Sequence, residues 1–198
     1  MNMSKSRLVG LILALFLLVS TLGAVVGLTE TAPTYIWTMD TAEEVAAYDN
    51  DNTGATLSWS TEVVCQGSHS LAVTPSGKAL ETKVAIPLAG DKILLWVGFK
   101  TIILNFYLHA GSKPTPSMFF LGMADVSNKE FNWIDGIFAK PTIQDGWNQV
   151  RYALSPGMRK LDATHQYKIF LAFAAQDGSV KTPLTDKFYL DGIYGEVK

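Results

Sequence analysis

The chain has 198 residues, 48% of them hydrophobic and 11% aromatic, which excludes a disordered polymer and fits one domain with a sizeable core. Sixteen basic residues against 18 acidic ones leave no clustered positive excess, which excludes nucleic acid as a partner. A single cysteine, Cys65, excludes a disulfide framework or a cysteine-rich zinc site and reads as a buried thiol acting as a small hydrophobe.

Residues 1–28 form an N-terminal leader. Lys5 and Arg7 precede the apolar run Leu8 to Val19, and small residues follow from Ser20 to Gly27. This is the layout of a secretory signal peptide. Residues 8–28 are also uncharged and long enough to span a bilayer as a helix, so an uncleaved membrane anchor is the alternative. Either way the positive start stays in the cytoplasm, and the rest is secreted or held outside the cell. Lys5 and Arg7 are two of the 16 basic residues, so 14 remain against 18 acidic ones beyond the leader, and no affinity for anionic lipid is expected.

Residues 29–34, TETAPT, read as a linker before a domain at 35–198. The one helix expected is Thr41 to Tyr48, capped by Asp40 or Thr41, with Glu43 and Glu44 in its first turn. It ends in the loop Asp49 to Gly54. That loop starts like a calcium-binding EF-hand, but Ser60 stands where the twelfth position needs a carboxylate. Strands are expected at Ser70–Thr74, Leu80–Ile86, Ile93–Lys100, Ile102–Ala110, Met118–Ala124, Trp147–Leu154, Tyr167–Ala175 and Lys187–Tyr194. Eight or more short strands divided by Gly, Pro, Asn and Asp turns predict an all-β antiparallel sandwich.

Alternation assigns faces, because successive side chains of a strand point to opposite sides. Leu104, Phe106 and Leu108 read as core, which turns Asn105, Tyr107 and His109 outward. Val150, Tyr152 and Leu154 read as core, leaving Gln149 and Arg151 outside, and the same parity turns Trp96 out of the strand Ile93–Lys100. An outward Trp and Tyr among amide and guanidinium donors is the composition of a sugar-binding surface: flat rings stack on pyranose C–H bonds while polar groups meet hydroxyls. Trp133, in Phe131 to Gly136, reads as a ligand-facing residue on a loop or hairpin rim.

The order of segments resembles the jelly-roll carbohydrate-binding modules of the galactose-binding-like superfamily. Tyr35 to Asp40 looks like their opening strand ending in an acid. Gly67-Ser68-His69-Ser70-Leu71-Ala72-Val73 is similar to their G-x-x-S-L-x-V segment. Gly146 to Ser155 resembles G-W-x-x-V-x-x-x-L-S, and Lys187 to Ile193 resembles the closing F-Y-L-D-D-I strand. That superfamily holds sugar binders, adhesion modules and accessory domains of enzymes. Together with the outward aromatic and polar residues it leads to an expectation of polysaccharide binding without catalysis, through Trp96, Asn105, Tyr107, His109, Trp133, Gln149 and Arg151. The resemblance itself places the domain among modules of this fold. It also implies a structural calcium (Ca2+) on Asp40, Asp191 and carbonyls around Gly67 to Ser70, although Gly192 replaces the second acid of the closing motif.

Two other functions fit the residues. One is a cell-surface structural or adhesion subunit whose aromatic face meets another protein. The other is a polysaccharide lyase using Tyr107 or His109 as base and Arg151 as charge neutraliser. Asp125, Glu130 and Asp135 are the nearest approach to a glycosidase carboxylate pair and read as an exposed loop.

Overall fold

The computed structural model describes residues 32–197. The leader 1–28, with its signal or anchor, lies outside them. Thirteen elements follow in order: β1 (Thr34–Trp37), α1 (Ala42–Ala46), β2 (Thr56–Ser60), β3 (Ser70–Thr74), β4 (Thr82–Leu88), α2 (Asp91–Val97), β5 (Thr101–Leu108), β6 (Met118–Asp125), β7 (Asn132–Ala139), β8 (Gly146–Ala153), β9 (Tyr167–Asp177), β10 (Val180–Thr182) and β11 (Phe188–Glu196). They form an antiparallel β-sandwich. One sheet has the order β2-β3-β11-β5-β8, with β1 also paired to β11; the other runs β10-β9-β6-β7, with β4 also paired to β9.

The inward rows close the core. Phe106 of the first sheet meets Phe119 and Phe173 of the second and Phe188 beside it, at ring separations of 5.1 to 5.7 Å. Leu104, Leu108, Val150 and Tyr152 are buried with it, as alternation requires. Thr41 is the N-cap of α1: its hydroxyl accepts from the Glu44 amide, and Glu44 reaches back to the Met39 amide at 2.7 Å.

The sequence expectation fails at Ile93–Lys100. This segment is not a strand but the helix α2, so Trp96 does not face outward. The apolar run I-L-L-W-V is compatible with either period over so short a length, and tertiary packing selects the helical one. Ile93 and Trp96, three apart, are fully buried, whereas Leu94 and Leu95 point to solvent. The Trp96 indole donates to the Met158 carbonyl at 2.8 Å and packs edge-on against Trp37. Trp96 is thus a core residue and no part of a ligand surface. Cys65, expected inside, lies exposed in the loop between β2 and β3.

Two faces and an acid-lined loop

The outer face of the six-stranded sheet carries the residues that alternation singled out. Cross-strand register aligns Ala72, Tyr189, Tyr107 and Trp147 in one row, and Asp191, Asn105 and Gln149 in the next. The aromatic rings stand edge to face rather than flat: Tyr107 meets Trp147 at 63° and His109 at 86°. The polar groups serve one another. Gln149 donates to the Tyr194 hydroxyl at 2.8 Å, and Arg151 is ion-paired with Glu196. Asn105 does not reach solvent as expected: it is buried between Asp191 and Gln149, and its side-chain amide donates to the Gly192 carbonyl at 3.5 Å.

The base-and-neutraliser arrangement of a lyase is not assembled here. Arg151 lies four residues along β8 from Trp147, the partner of Tyr107, which is about 14 Å at strand rise. A glycosidase acid needs a carboxyl held above its ordinary range. Asp125 and Asp135 go the other way: hydrogen bonds with Ser127 hold Asp125 low, and the Ser155 hydroxyl followed by the Gly136 amide does so for Asp135.

Asp125 also grips His165 at 2.6 Å, and that hydrogen bond raises the imidazole above its ordinary value. His165 should therefore titrate above pH 6.5 in an NMR pH series, and Asp125→Asn should bring it back towards that value. A midpoint unmoved by the substitution would remove Asp125 as the cause.

The outer face of the five-stranded sheet is different. Rows across it read Trp133, Ala124, Lys168 and Pro87; then Gly136, Gly122, Phe170 and Ala85; then Phe138, Phe120, Ala172 and Lys83. Small residues make a flat floor on which the rings lie. Phe120 and Trp133 are parallel within 5°, with centroids 6.1 Å apart, and Phe131 lies beside Trp133 at 25°. A Cβ on Gly122 would fall 2.4 Å from the Trp133 ring, and one on Gly136 would fall 2.4 Å from the Phe120 ring, so only glycine admits this arrangement. Trp133, Phe131 and Phe138 are each more than half exposed.

A bulge sets the orientation of Trp133. Met123 pairs with Asp135 and Ala124 with Trp133, which leaves Ile134 unpaired and packed towards the core. Strict alternation from Gly136 would have put Trp133 inside. The rim Trp of the sequence reading is therefore a strand residue at the sheet surface. Lys168 and Lys83 flank the platform, held by Asp49 and Asp51 at 2.7 and 3.0 Å. The loop that began like an EF-hand supplies both acids.

Asp40 and Asp191 converge on the loop 65–69 but are occupied differently from simple metal ligands. Asp40 Oδ1 accepts from the Ser68 and His69 amides at 2.6 and 3.1 Å, and Asp191 Oδ2 accepts from Cys65 and Gln66 at 2.6 and 3.0 Å. Asp191 is fully buried, and its Oδ1 has no hydrogen-bond partner. Burial, with a smaller contribution from Asp40, pushes this carboxyl above its ordinary value despite the two amides. A hard cation takes six to eight oxygens, and an orphaned buried carboxylate oxygen fits that chemistry. Among the described residues no cluster of three or more His, Cys, Asp or Glu side chains gathers, so backbone carbonyls would have to complete the shell.

No protein-family model and no curated protein sequence matches the chain. Solved structures do. One, from work on the promiscuous specificity of carbohydrate-binding modules of the β-sandwich superfamily, shares 13% identity at a TM-score of 0.50 over 82% of this chain. The match spans 61% of that structure's length. The C-terminal family 22 carbohydrate-binding module of Clostridium thermocellum Xyn10B gives 16% identity, 83% and 94% coverage and a TM-score of 0.47. A family 27 module of Caldicellulosiruptor saccharolyticus, solved with mannohexaose, gives 12%, 82% and 97%, and 0.44. The first of these shows that the two share a β-sandwich fold.

Proposed function

We propose that this domain binds polysaccharide without catalysis, on the outer face of the five-stranded sheet. The observation that carries the reading is the exposed Trp133 ring, stacked parallel to the half-buried Phe120 ring above Gly122 and Gly136. A flat aromatic surface of this kind matches the C–H face of a pyranose. Lys168 with Asp49 and Lys83 with Asp51 stand beside it as hydroxyl partners that are already oriented. The shared fold supports the reading but does not decide it, since one fold hosts many functions. Tyr107, His109, Gln149 and Arg151 are left with structural work on the opposite sheet, where their rings stand on edge and the Gln149 and Arg151 side chains are already bonded.

The test is calorimetric titration of the full chain against soluble xylans, mannans, β-glucans and pectins. Saturable heat with at least one polymer is the expected result. Silence across the panel in a folded protein would move the reading to a surface subunit that docks another protein through the same aromatic face.

Calcium at Asp40 and Asp191 belongs to the same proposal, as a stiffener of the loop 65–69. Added calcium should then raise Tm, because a ligand that binds only the folded state stabilises it. Asp191→Asn keeps the acceptor for the Cys65 and Gln66 amides and should abolish that rise. If no cation binds, the raised carboxyl alone makes stability fall as pH climbs from the ordinary carboxylate range through its folded value. Asp191→Asn would flatten that slope. A Tm indifferent to calcium and chelator alike would strike the metal from the reading.

A further inference from the structure

The aromatic platform does not end at Phe138. Beyond it, where β6 begins and β7 and β9 end, a cavity of about 810 Å3 opens, within the size range of saccharide and cofactor sites. Met118, Phe138 and Pro141 form an apolar wall, and Gln176, Lys140 and Lys181 bring the polar groups. Phe138 is in contact with Phe120 at 4.9 Å, so the cavity is continuous with the stacking surface.

Its charge is one-sided. Two lysines line the cavity and no aspartate or glutamate does. Lys181 is held by Glu81, which lies outside the lining, whereas Lys140 enters none of the ion pairs among the described residues and is exposed. The other polar groups are fixed by the fold. The Ser117 hydroxyl donates to the Gln176 carbonyl at 2.9 Å and accepts its amide at 2.8 Å, and the Gln176 side chain donates to the Gly178 carbonyl at 2.7 Å. Lys140 is therefore the lining cation without an ion-pair partner among the described residues, and such a cation beside an apolar wall favours an anion.

From this juxtaposition we propose that the cavity receives a uronic-acid residue of an acidic polysaccharide, its carboxylate on Lys140 and its ring against Phe138, while neighbouring sugars stack on Phe120 and Trp133. The proposal rests on the platform being the polysaccharide site, and it names the substrate class of that site. The domain's own acidic balance gives no general attraction to polyanions, so a carboxylate preference has to come from a local feature.

The test compares each of two acidic polymers, polygalacturonate and glucuronoxylan, with the same polymer after its carboxyls are reduced to alcohols. The full-length chain is used, kept in a non-ionic detergent. At least one acidic form is expected to bind about tenfold more tightly than its reduced counterpart at low salt. That ratio should shrink towards one at about 1 M NaCl and in Lys140→Gln. Equal binding of acidic and reduced forms overturns the cavity assignment and leaves the platform standing. A preference that survives in Lys140→Gln also overturns it. Binding of neither form, with no response to the mannans and β-glucans either, overturns both the platform and the cavity.

Discussion

Trp96→Ala is expected to lower the unfolding free energy by about 3–5 kcal/mol, enough to leave a domain of ordinary stability barely folded. The side chain is fully buried and packs edge-on against Trp37 with ring centroids 6.1 Å apart. Its indole N–H serves the Met158 carbonyl, so truncation opens a cavity and orphans an acceptor as well. The helix that carries it has only seven residues, too few to persist on its own propensity, and Ile93 and Trp96 hold it to the sandwich. Urea denaturation would read the loss as a lower midpoint. Trp96→Phe should recover most of the packing but not the hydrogen bond and fall between the two. An alanine variant with an unchanged midpoint would mean that α2 is not an anchor. The prediction also fixes how binding data are to be interpreted, since lost binding in Trp96→Ala would report lost structure rather than a lost ligand contact.

Trp133→Ala should do the reverse. Half of the ring is already in solvent, so Tm should move by only a few degrees. Polysaccharide affinity should fall about 30-fold or more, the scale of a binding hot spot worth about 2 kcal/mol. The loss follows from geometry: without Trp133 the half-buried Phe120 ring is left alone above bare Gly122 and Gly136, and the exposed face that stacks on it is gone. Titration of the variant with whichever polymer binds the parent chain measures it. Tyr107→Ala is the matched control on the opposite sheet and should leave affinity within about twofold. If Tyr107→Ala abolished binding while Trp133→Ala kept it, the site would move to the six-stranded sheet.

The cation and the acidic sugar concern different parts of the same sandwich. Asp40 and Asp191 brace the loop 65–69 on the six-stranded sheet, whereas Lys140 and the aromatic platform belong to the five-stranded one. The two effects are expected to be separable: Asp191→Asn should change Tm and its calcium response, and Lys140→Gln should change carboxylate preference alone.

Much of the sandwich was legible in the amino-acid order because alternation is a local property. The inward rows of Ile102–Ala110 and Trp147–Leu154 fall as period two predicts, since a one-residue slip would expose a whole apolar row, but of the outward row Asn105 is buried as well. The turn residues between strands were equally legible, as was a helix cap at Asp40 or Thr41, of which the structure uses Thr41. Three features were not. The apolar run at Ile93–Val97 is too short for its period to separate helix from strand, and only the space beside Trp37 and Met158 settles it. The strand Asn132–Ala139 carries an Asp-Gly pair and a bulge, both of which break alternation, so Trp133 looked like a loop residue. The flat aromatic platform depends on Gly122 and Gly136 meeting across two strands, a coincidence of register between positions 14 residues apart. Sequence alone determined the inward apolar rows of strands such as Thr101–Leu108 and Gly146–Ala153, because burial of such a row is dictated by neighbours two positions away. Which exposed rings share a surface was decided by tertiary structure, because that depends on pairing and bulges that bring distant positions side by side.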